Sequence, residues 1–331
     1  MYSCGEIIRL ADSGITEIEE IPDHITTLIC SKNPLRSLPS LPKFLVALEC
    51  SSTLITELPD LSGCVSLSEL YCDDTHIKVL PKLPATLKKL YCSFNMNMKS
   101  IPELPNGLLE LHCHSSSITS LPELPKTLVT LFCYRTEIKA LPKLPNELSE
   151  LHCADTPIAV LPELPPKLQM LNCHTTQITI LPDLPDTLLR LNCYNTKIKA
   201  LPKLPKGLVE LYCSYTSLEE LPELPRTLTL LHCQHTLLTK LPELPSALLR
   251  LCVNSTMIKT LPRLPSRLRY LDCSKTQIAI LPSLPDGLDN LHCADTQLTE
   301  LPELPAVLRT LDIRNTHISE VPKVNIVNKY A

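Results

Sequence analysis

Apolar and polar positions alternate along this chain in a frame of twenty residues, shown most plainly by LPELPKTLVTLFCYRTEIKA at 121–140. Leucines fall at Leu121, Leu124, Leu128 and Leu131, and a cysteine, a threonine and an isoleucine follow at fixed offsets. The block that begins at Leu141 keeps the same apolar frame. A fixed period of this length indicates a solenoid, in which each repeat packs only against its neighbours.

The repeats can be counted from their first leucine or isoleucine. Fifteen complete repeats span residues 18–320, with a partial first repeat at 1–17 and a partial last repeat at 321–331. No linker interrupts the series, so we predict a single solenoid over residues 1–331. The repeat that begins at Leu58 is two residues too long, and the one at Leu80 is one residue too long. Insertions in solenoids map to loops on one face, so we expect local bulges there.

Each repeat predicts a strand, a turn and an extended return. The LxxLxC segment alternates apolar with other residues, which is typical of a half-buried strand. In the repeat at 121–140, Leu131 and Cys133 should point inward, and Thr130, Phe132 and Tyr134 outward. The LPxLP segment does not suit a helix, because proline lacks an amide donor and restricts the residue before it.

The fold that follows is a repeat solenoid shaped as a horseshoe or arc. We predict one parallel sheet of about sixteen short strands on the concave side. The convex side should run in an extended, polyproline-like form, with little or no helix.

The cysteines follow the same frame. Thirteen of the sixteen occupy one phase of the repeat, and Leu10, Val253 and Ile313 fill that phase elsewhere. Residues in this column would lie about 4.8 Å apart, within reach of a disulfide. A free thiol, however, packs as a small apolar group, so we interpret the column as buried and reduced. Reduced cysteines indicate a cytoplasmic or other reducing compartment.

Charge and hydropathy exclude several partners. The net charge is −4, from 31 basic and 35 acidic residues, so nothing indicates nucleic acid or an anionic membrane as a partner. No apolar run approaches the roughly 18 residues that span a bilayer. The first residues lack the charged and apolar regions of a secretory signal peptide.

The frame LPxLPxxLxxLxCxxTxI is a leucine-rich repeat with two substitutions. Cysteine replaces the third leucine of the consensus, and threonine replaces the asparagine, which remains only at Asn33 and Asn95. The repeat resembles the short bacterial-type leucine-rich repeat of secreted effectors, the YopM and IpaH class, along nearly the whole chain. In that family the repeat array binds host proteins. The resemblance therefore implies protein binding, in a host cytosol if the chain is an effector.

Two departures from the family have physical consequences. An asparagine side chain donates and accepts hydrogen bonds, whereas a threonine hydroxyl offers one proton, so we expect fewer hydrogen bonds between repeats. The effectors also carry a helical cap ahead of their repeats, which residues 1–7 are too short to form. Open strand edges pair with other chains, so we expect either a covering partner, which could be a second copy, or frayed ends.

Signals for an enzyme are weak. Ligases of the IpaH class use a Cys-x-Asp motif in a separate helical domain, and literal matches occur at Cys72, Cys153 and Cys293. All three cysteines belong to the inward column, where a thiol is inert. Residues 321–331 are also too short for a ligase domain, so we predict a non-enzymatic protein with no catalytic residues and no cofactor.

Histidines raise the question of a metal site. His112 and His114 share one strand, and His232, His235 and Cys252 lie on adjacent repeats. A zinc site needs three or four converging ligands, so we predict surface histidines and no metal. Cys252 is the one cysteine expected on the outward side.

The predicted concave face carries most of the rings. Four positions per repeat hold sixteen of the twenty-two Phe, Tyr and His residues. Rigid aromatic residues dominate protein-interface hot spots, although they are also favoured on any exposed strand. We predict a partner-binding surface made of Tyr71, Tyr91, His112, His114, Phe132, Tyr134, Arg135, His152, His174, Tyr194, Tyr212, Tyr215, His232, Tyr270 and His292, with Phe94 and His235 on the same face.

Two functions remain open. The first is a non-enzymatic protein–protein interaction scaffold that binds a partner on this face, where charges of both signs favour a protein over a polyanion. The second is a self-associating structural protein that stacks through uncapped sheet edges.

Overall fold

The computed structural model describes residues 6–320 and 328–330, and the chain forms two compact units, residues 1–168 and 169–331. We call them the N-terminal unit and the C-terminal unit. Most of the predicted last repeat, residues 321–331, lies outside the described residues. The single solenoid over residues 1–331 stays a prediction.

The N-terminal unit is a series of short parallel strands, one per repeat. Each strand pairs with the next one along the chain. The strands are β1 (Glu6–Arg9), β2 (Ile25–Ile29), β3 (Ala47–Glu49), β4 (Glu69–Tyr71), β5 (Lys89–Tyr91), β6 (Glu110–His112), β7 (Thr130–Phe132) and β8 (Glu150–His152).

The C-terminal unit repeats this arrangement. Consecutive strands again pair in parallel, and the last one lies beyond the complete repeats. The strands are β9 (Met170–Asn172), β10 (Arg190–Asn192), β11 (Glu210–Tyr212), β12 (Leu230–His232), β13 (Arg250–Cys252), β14 (Tyr270–Asp272), β15 (Asn290–His292), β16 (Thr310–Asp312) and β17 (Asn328–Tyr330).

The strand register follows the leucine frame, including at the two long repeats. Leu48 pairs with Leu70 and Leu90 pairs with Leu111, although these pairs are 22 and 21 residues apart. The extra residues therefore lie outside the strands, as predicted. In the repeat at 80–100, fully buried Met98 fills the slot that isoleucine holds elsewhere.

Four columns of fully buried side chains make the centre of the core. In the repeat at 121–140 these are Leu128, Leu131, Cys133 and Ile138, all 0% exposed. All fifteen cysteines among the described residues are buried, and thirteen of them form the inward thiol column that the sequence predicts. Burial raises the pKa of the Cys133 thiol well above its usual range, so it packs as a neutral apolar group.

The proline segments form the return path of each repeat. No helix occurs among residues 6–320 and 328–330, so none of the described chain has a helix able to cross a membrane. The second proline begins a tight turn, in which the Leu128 amide donates to the Pro125 carbonyl at 3.1 Å. This pattern confirms a leucine-rich-repeat fold with extended, non-helical returns.

One residue after each strand adopts a left-handed backbone. Sixteen non-glycine residues have φ between 51° and 59°, at the same position in successive repeats. This geometry costs about 1 kcal/mol in a non-glycine residue. It is offset by a hydrogen bond to the next repeat, as when the Arg135 amide donates to the Ala154 carbonyl at 2.9 Å.

The hydrogen bonds made by the two asparagines differ from those of the threonines. Asn95 Nδ2 donates to the carbonyls of Cys72 and Cys92, both at 2.9 Å, so it joins two repeats. Thr136 Oγ1 donates only to the Cys133 carbonyl of its own repeat, at 2.7 Å. The expectation of fewer bonds between repeats is confirmed.

Candidate functional site

The outward side of the strands presents four residues per repeat, which we call the strand face. They are the residues before and after the strand leucine and the two that follow the cysteine column. In the repeat at 121–140, Thr130, Phe132 and Tyr134 are half-buried and Arg135 is exposed, so the predicted alternation is confirmed. All fifteen residues predicted for partner binding lie at these positions and are half-buried or exposed.

Five rings form an uninterrupted row on the strand face of the N-terminal unit. We call Tyr71, Tyr91, His112, Phe132 and His152 the ring row. The strand register places each ring beside the next, with centroid separations of 4.8, 4.0, 4.3 and 4.3 Å. The first distance falls within the range of about 4.5–7 Å that aromatic pairs prefer, and the other three are slightly shorter, so the rings are in close contact.

A shorter group of rings lies beside this row. His114 stacks on Tyr134 with centroids 4.1 Å apart and an interplanar angle of 9°, and Phe94 meets His114 edge-on at 5.1 Å. The Tyr134 hydroxyl is 3.3 Å from His114 Nε2. These contacts hold the rings at defined positions.

The rings of the C-terminal unit form no such row, because Asn172, Asn192, Cys252 and Asp272 occupy the corresponding column. Tyr212 and His232 are its one adjacent ring pair, 5.1 Å apart and nearly perpendicular at 81°. Other ring contacts among the unit's described residues include His174–Tyr194, Tyr194–Tyr215, Tyr215–His235 and Tyr270–His292, together with Arg250 over Tyr270 and Arg314 over Tyr330.

Charge is divided unevenly over the strand face. From β2 to β8 the face holds seven carboxylates (Glu49, Glu69, Asp73, Asp74, Glu110, Glu150, Asp155) against three cations (Lys32, Lys89, Arg135). From β9 to β16 it holds four carboxylates (Glu210, Asp272, Asp295, Asp312) against four cations (Arg190, Arg250, Lys275, Arg314). Both units carry charges of both signs, as the sequence indicates, and counting along each repeat position shows the uneven division.

Burial keeps His112, His114 and Tyr71 uncharged. It lowers the pKa of His112, and it lowers the pKa of His114 to about 4 with help from the nearby His112, Arg135 and His152. Burial, followed by the Glu69 carboxylate, raises the pKa of Tyr71 to about 12. Both histidines and the phenol are therefore neutral at pH 7, so the carboxylates dominate the potential here.

The cysteines of the three Cys-x-Asp matches show no features of a reactive site. Cys72, Cys153 and Cys293 of the Cys-x-Asp matches lie inward at 0% exposure, and burial raises the thiol pKa to about 12 at Cys153 and Cys293. Thiolates are the reactive form, so these groups are poor nucleophiles.

Cys252 lies at the predicted outward position but is not exposed. It lies between His232 and Asp272 and is 7% exposed, because its side chain is smaller than those beside it. Burial raises its thiol pKa to about 12. Within the described residues, no three His, Cys, Asp or Glu side chains lie close enough to hold a metal ion.

Three polar atoms on the strand face lack partners. Within the part of the chain that the structure describes, the buried side-chain atoms without a hydrogen bond are Ser93 Oγ, Asn172 Oδ1 and His232 Nε2. Unpaired buried polar atoms are rare because each costs about 1–3 kcal/mol. The sequence carries no signal for them, since they depend on side-chain geometry.

Solved structures of leucine-rich-repeat proteins resemble the chain along most of its length. YopM from Yersinia enterocolitica WA-314 shares 33% identity, with a TM-score of 0.86 over 96% of this chain and 75% of that one. YopM from Yersinia pestis, described as a leucine-rich effector protein, shares 29% identity, with a TM-score of 0.83 over 93% of this chain and 88% of that one.

A third structure extends the likeness in fold. The functional domain of InlJ from Listeria monocytogenes, described as including a cysteine ladder, shares 24% identity. Its TM-score is 0.76, over 89% of this chain and 68% of that one. No family model matches the sequence, and no curated protein gives a significant match.

Proposed function

The chain belongs to the leucine-rich-repeat family of YopM, and we propose from this premise that it is a non-enzymatic scaffold that binds a partner protein on its strand face. The observation that carries the proposal is the ring row of the N-terminal unit. Five half-buried rings in consecutive repeats form one continuous surface.

The physical properties of this surface suit protein recognition. Rings that are already held by their neighbours lose little side-chain entropy on binding. Aromatic side chains also supply a large contact area. The unpaired polar atoms on the same face support the proposal, because a partner or the water trapped beneath it supplies hydrogen bonds that the isolated chain lacks.

Stacking between neighbouring strands is the competing explanation for the rings, since aromatic pairs also stabilise a sheet. The two explanations differ in what is lost when rings are removed. A structural role predicts lower stability with unchanged binding, whereas a recognition role predicts the loss of binding in a chain that still folds.

The first test uses the purified chain as bait in cell lysate, with bound proteins identified by mass spectrometry. We expect the triple variant Phe132→Ser, Tyr134→Ser and Tyr212→Ser to lose the proteins that the wild-type chain captures. Circular dichroism should show the same folded spectrum for both. Identical capture by a folded triple variant would remove the strand face from the proposal.

A matched control changes the same repeat away from the strand face. Glu123, Lys126 and Lys139 are exposed, and Glu123→Ser, Lys126→Ser and Lys139→Ser should leave capture intact. Equal loss in both variants would indicate general damage and contradict a ring-specific role.

We further propose that the chain acts as a host-directed effector in a reducing compartment, the cytoplasm of a host cell. Kinship with YopM and the fifteen free, buried cysteines support this. The test compares captures from lysates of eukaryotic cells and of the source organism. Ring-dependent partners found only in the latter would contradict a host-directed role.

One observation favours a second function, self-association. Among the described strands, β1 pairs only with β2, and its residue Ile7 is 48% exposed. Open edges template pairing with other chains. Light scattering should then show assemblies that dissociate on dilution and that Ile7→Lys weakens. A monomer at every concentration would exclude this function.

A further inference from the structure

An acidic cleft interrupts the strand face of the N-terminal unit beside the ring row. It has a volume of about 540 Å³ and is lined by Ser52, Asp73, Asp74, Tyr91, Ser93, Phe94, His112 and His114. Two carboxylates thus lie at one side of the cleft and four rings at the other. The long repeat at 58–79 supplies both aspartates, and the long repeat at 80–100 supplies Tyr91, Ser93 and Phe94.

The nearby lysine does not neutralise this cleft. Lys89 Nζ lies 3.6 Å from Glu69 and 3.8 Å from Glu110, so its charge is directed to those carboxylates. The Asp73 carboxylate accepts a hydrogen bond from the Ser93 amide at 2.7 Å, which fixes its position without a counter-ion. The histidines of the cleft are neutral at pH 7 because burial lowers their pKa values.

The Ser93 hydroxyl, which lacks a hydrogen-bond partner, independently indicates that the cleft receives a ligand. This side chain is 1% exposed and lines the cleft, and its Oγ has no hydrogen-bond partner of good geometry although the Asp73 carboxylate is close. A hydroxyl oxygen accepts from a cationic N–H as readily as it donates. The site therefore combines an unused acceptor, two carboxylates and the faces and edges of rings.

We propose that this cleft receives an arginine side chain from an extended segment of the partner protein. The inference rests on the proposed function and names the chemistry of the partner. A guanidinium group presents five donors in a plane, pairs with carboxylates and stacks on aromatic rings, which matches Asp73, Asp74 and the exposed ring of Phe94. Lysine is a compact point charge, so it pairs with the carboxylates but stacks on aromatic rings less well than arginine does.

The surrounding charge favours the same occupant. The strand face from β2 to β8 has four more carboxylates than cations, seven against three, whereas β9 to β16 are balanced. A basic segment is therefore attracted to the N-terminal unit along several repeats, and the attraction weakens with salt. The cleft then selects arginine from among the basic side chains.

The probe is a fluorescein-labelled peptide, Arg-Gly-Ser-Arg-Gly-Ser-Arg with blocked ends, measured by fluorescence anisotropy with the full-length chain. The matched probe replaces each arginine with citrulline, which has the same shape and no charge. We expect the arginine peptide to bind at least about 10-fold more tightly, the factor that corresponds to about 1.4 kcal/mol. Equal binding of the two peptides would overturn the proposal.

Variants locate the binding. Asp73→Asn with Asp74→Asn keeps side-chain size and removes both charges, and we expect binding to weaken about 10-fold or more. Phe94→Asn removes an exposed ring at a left-handed position that asparagine tolerates, and should weaken binding about 3-fold. Asp272→Asn with Asp295→Asn removes two carboxylates of the C-terminal unit and should leave binding unchanged. Equal losses in the two aspartate pairs would show attraction by net charge alone and overturn the cleft.

The inference and the proposed function fail in different ways. If ring variants abolish capture of a partner protein while Asp73→Asn with Asp74→Asn leaves that capture intact, the function stands and the arginine cleft is wrong. If the ring variants leave capture intact, the scaffold proposal for this face is wrong, whatever the peptide does. Loss of capture in both sets supports both.

Discussion

The N-terminal and C-terminal units are built on one repeat but differ on the face that the repeat leaves free. In the first, the column after the strand leucine is Tyr71, Tyr91, His112, Phe132 and His152, and each ring touches the next. In the second, that column holds asparagine, cysteine and aspartate among its rings, and Tyr212–His232 is its one adjacent pair. The repeat supplies the spacing, and the identity of neighbouring residues decides whether a surface forms.

The two units also differ in the hydrogen bonds made at the consensus asparagine position of the repeat. Asn33 and Asn95, the two asparagines kept at the consensus position, both lie in the N-terminal unit. Each joins its own repeat to the previous one, whereas Thr236 in the C-terminal unit donates only to Cys233 of its own repeat. The N-terminal unit thus combines stronger connections between repeats with the more elaborate outer face.

The largest expected effect comes from replacing an asparagine of the N-terminal unit with the threonine that the C-terminal unit carries at the same position of the repeat. Asn95→Thr keeps a donor for the Cys92 carbonyl but loses the bond to Cys72, at 2.9 Å, and the acceptor for the Thr75 amide, at 3.1 Å. We expect the free energy of unfolding to fall by about 2–4 kcal/mol, since buried groups are left unpaired. Urea denaturation followed by circular dichroism measures it.

The matched change in the other unit is Thr236→Val, which removes one bond within a repeat and keeps the shape. Its expected cost is about 1 kcal/mol. Repeat proteins need not unfold in one step, so each variant is assigned to the transition that it shifts. Equal costs for Asn95→Thr and Thr236→Val would show that bonds between repeats contribute nothing extra.

The backbone was largely predictable from the sequence for a physical reason. A side chain that must be buried once per repeat fixes the register, so the periodicity alone places Leu131 and Cys133 inward and Phe132 outward. Even the two long repeats obey the frame, because their extra residues can leave the sheet while Leu70 and Leu111 cannot.

The candidate site was predictable in position but not in character. The way neighbouring side chains fill space cannot be deduced from the residue types at each repeat position. It determines the stacking distances, the burial of Cys252 and the lack of a partner for the Ser93 hydroxyl. Left-handed φ at Thr175 and Tyr215 is likewise set by position in the repeat, since neither residue type favours it. The uneven charge is visible in the sequence only when charges are counted repeat by repeat, because a count over the whole face averages the two units.

The ring row offers the next largest effect. Phe132 has a ring on either side, His112 and His152, each at 4.3 Å, whereas Tyr212 has one ring neighbour at 5.1 Å. Aromatic pairs contribute about 0.5–1.5 kcal/mol each beyond burial. Phe132→Ala should therefore lower the free energy of unfolding by about 2 kcal/mol beyond the cost of lost burial, because it removes two ring pairs, and Tyr212→Ala by about half of that.

A double-mutant cycle separates stacking from burial. Phe132→Ala and His112→Ala, made singly and together, should show a coupling energy of about 1 kcal/mol by urea denaturation. The cycle Tyr212→Ala with His232→Ala should couple more weakly because those rings meet edge-on at a longer distance. Coupling energies that do not differ would mean that the continuous row adds nothing to isolated pairs.

The smallest expected effect is a difference between the two units in how the free energy of unfolding depends on pH. His114 lies beside His112, Arg135 and His152, and burial with these neighbours lowers its pKa to about 4. The unfolded chain binds a proton near pH 6.5 and the folded chain does not, so stability contributed by neutral His114 is present above pH 6.5 and is lost as pH falls toward 4. After allowance for its partial exposure, the loss is on the order of 1 kcal/mol.

His114→Gln tests this assignment because glutamine is polar, comparable in length and does not titrate. The variant should reduce the fall in unfolding free energy between pH 6.5 and 4, measured by urea denaturation at several pH values. His232→Gln in the C-terminal unit should reduce it less, because burial and a single cation, Arg250, lower the pKa of His232 without a neighbouring histidine cluster. If the two variants flatten the profile equally, the crowding of neutral rings in the N-terminal unit is not what sets its response to acid.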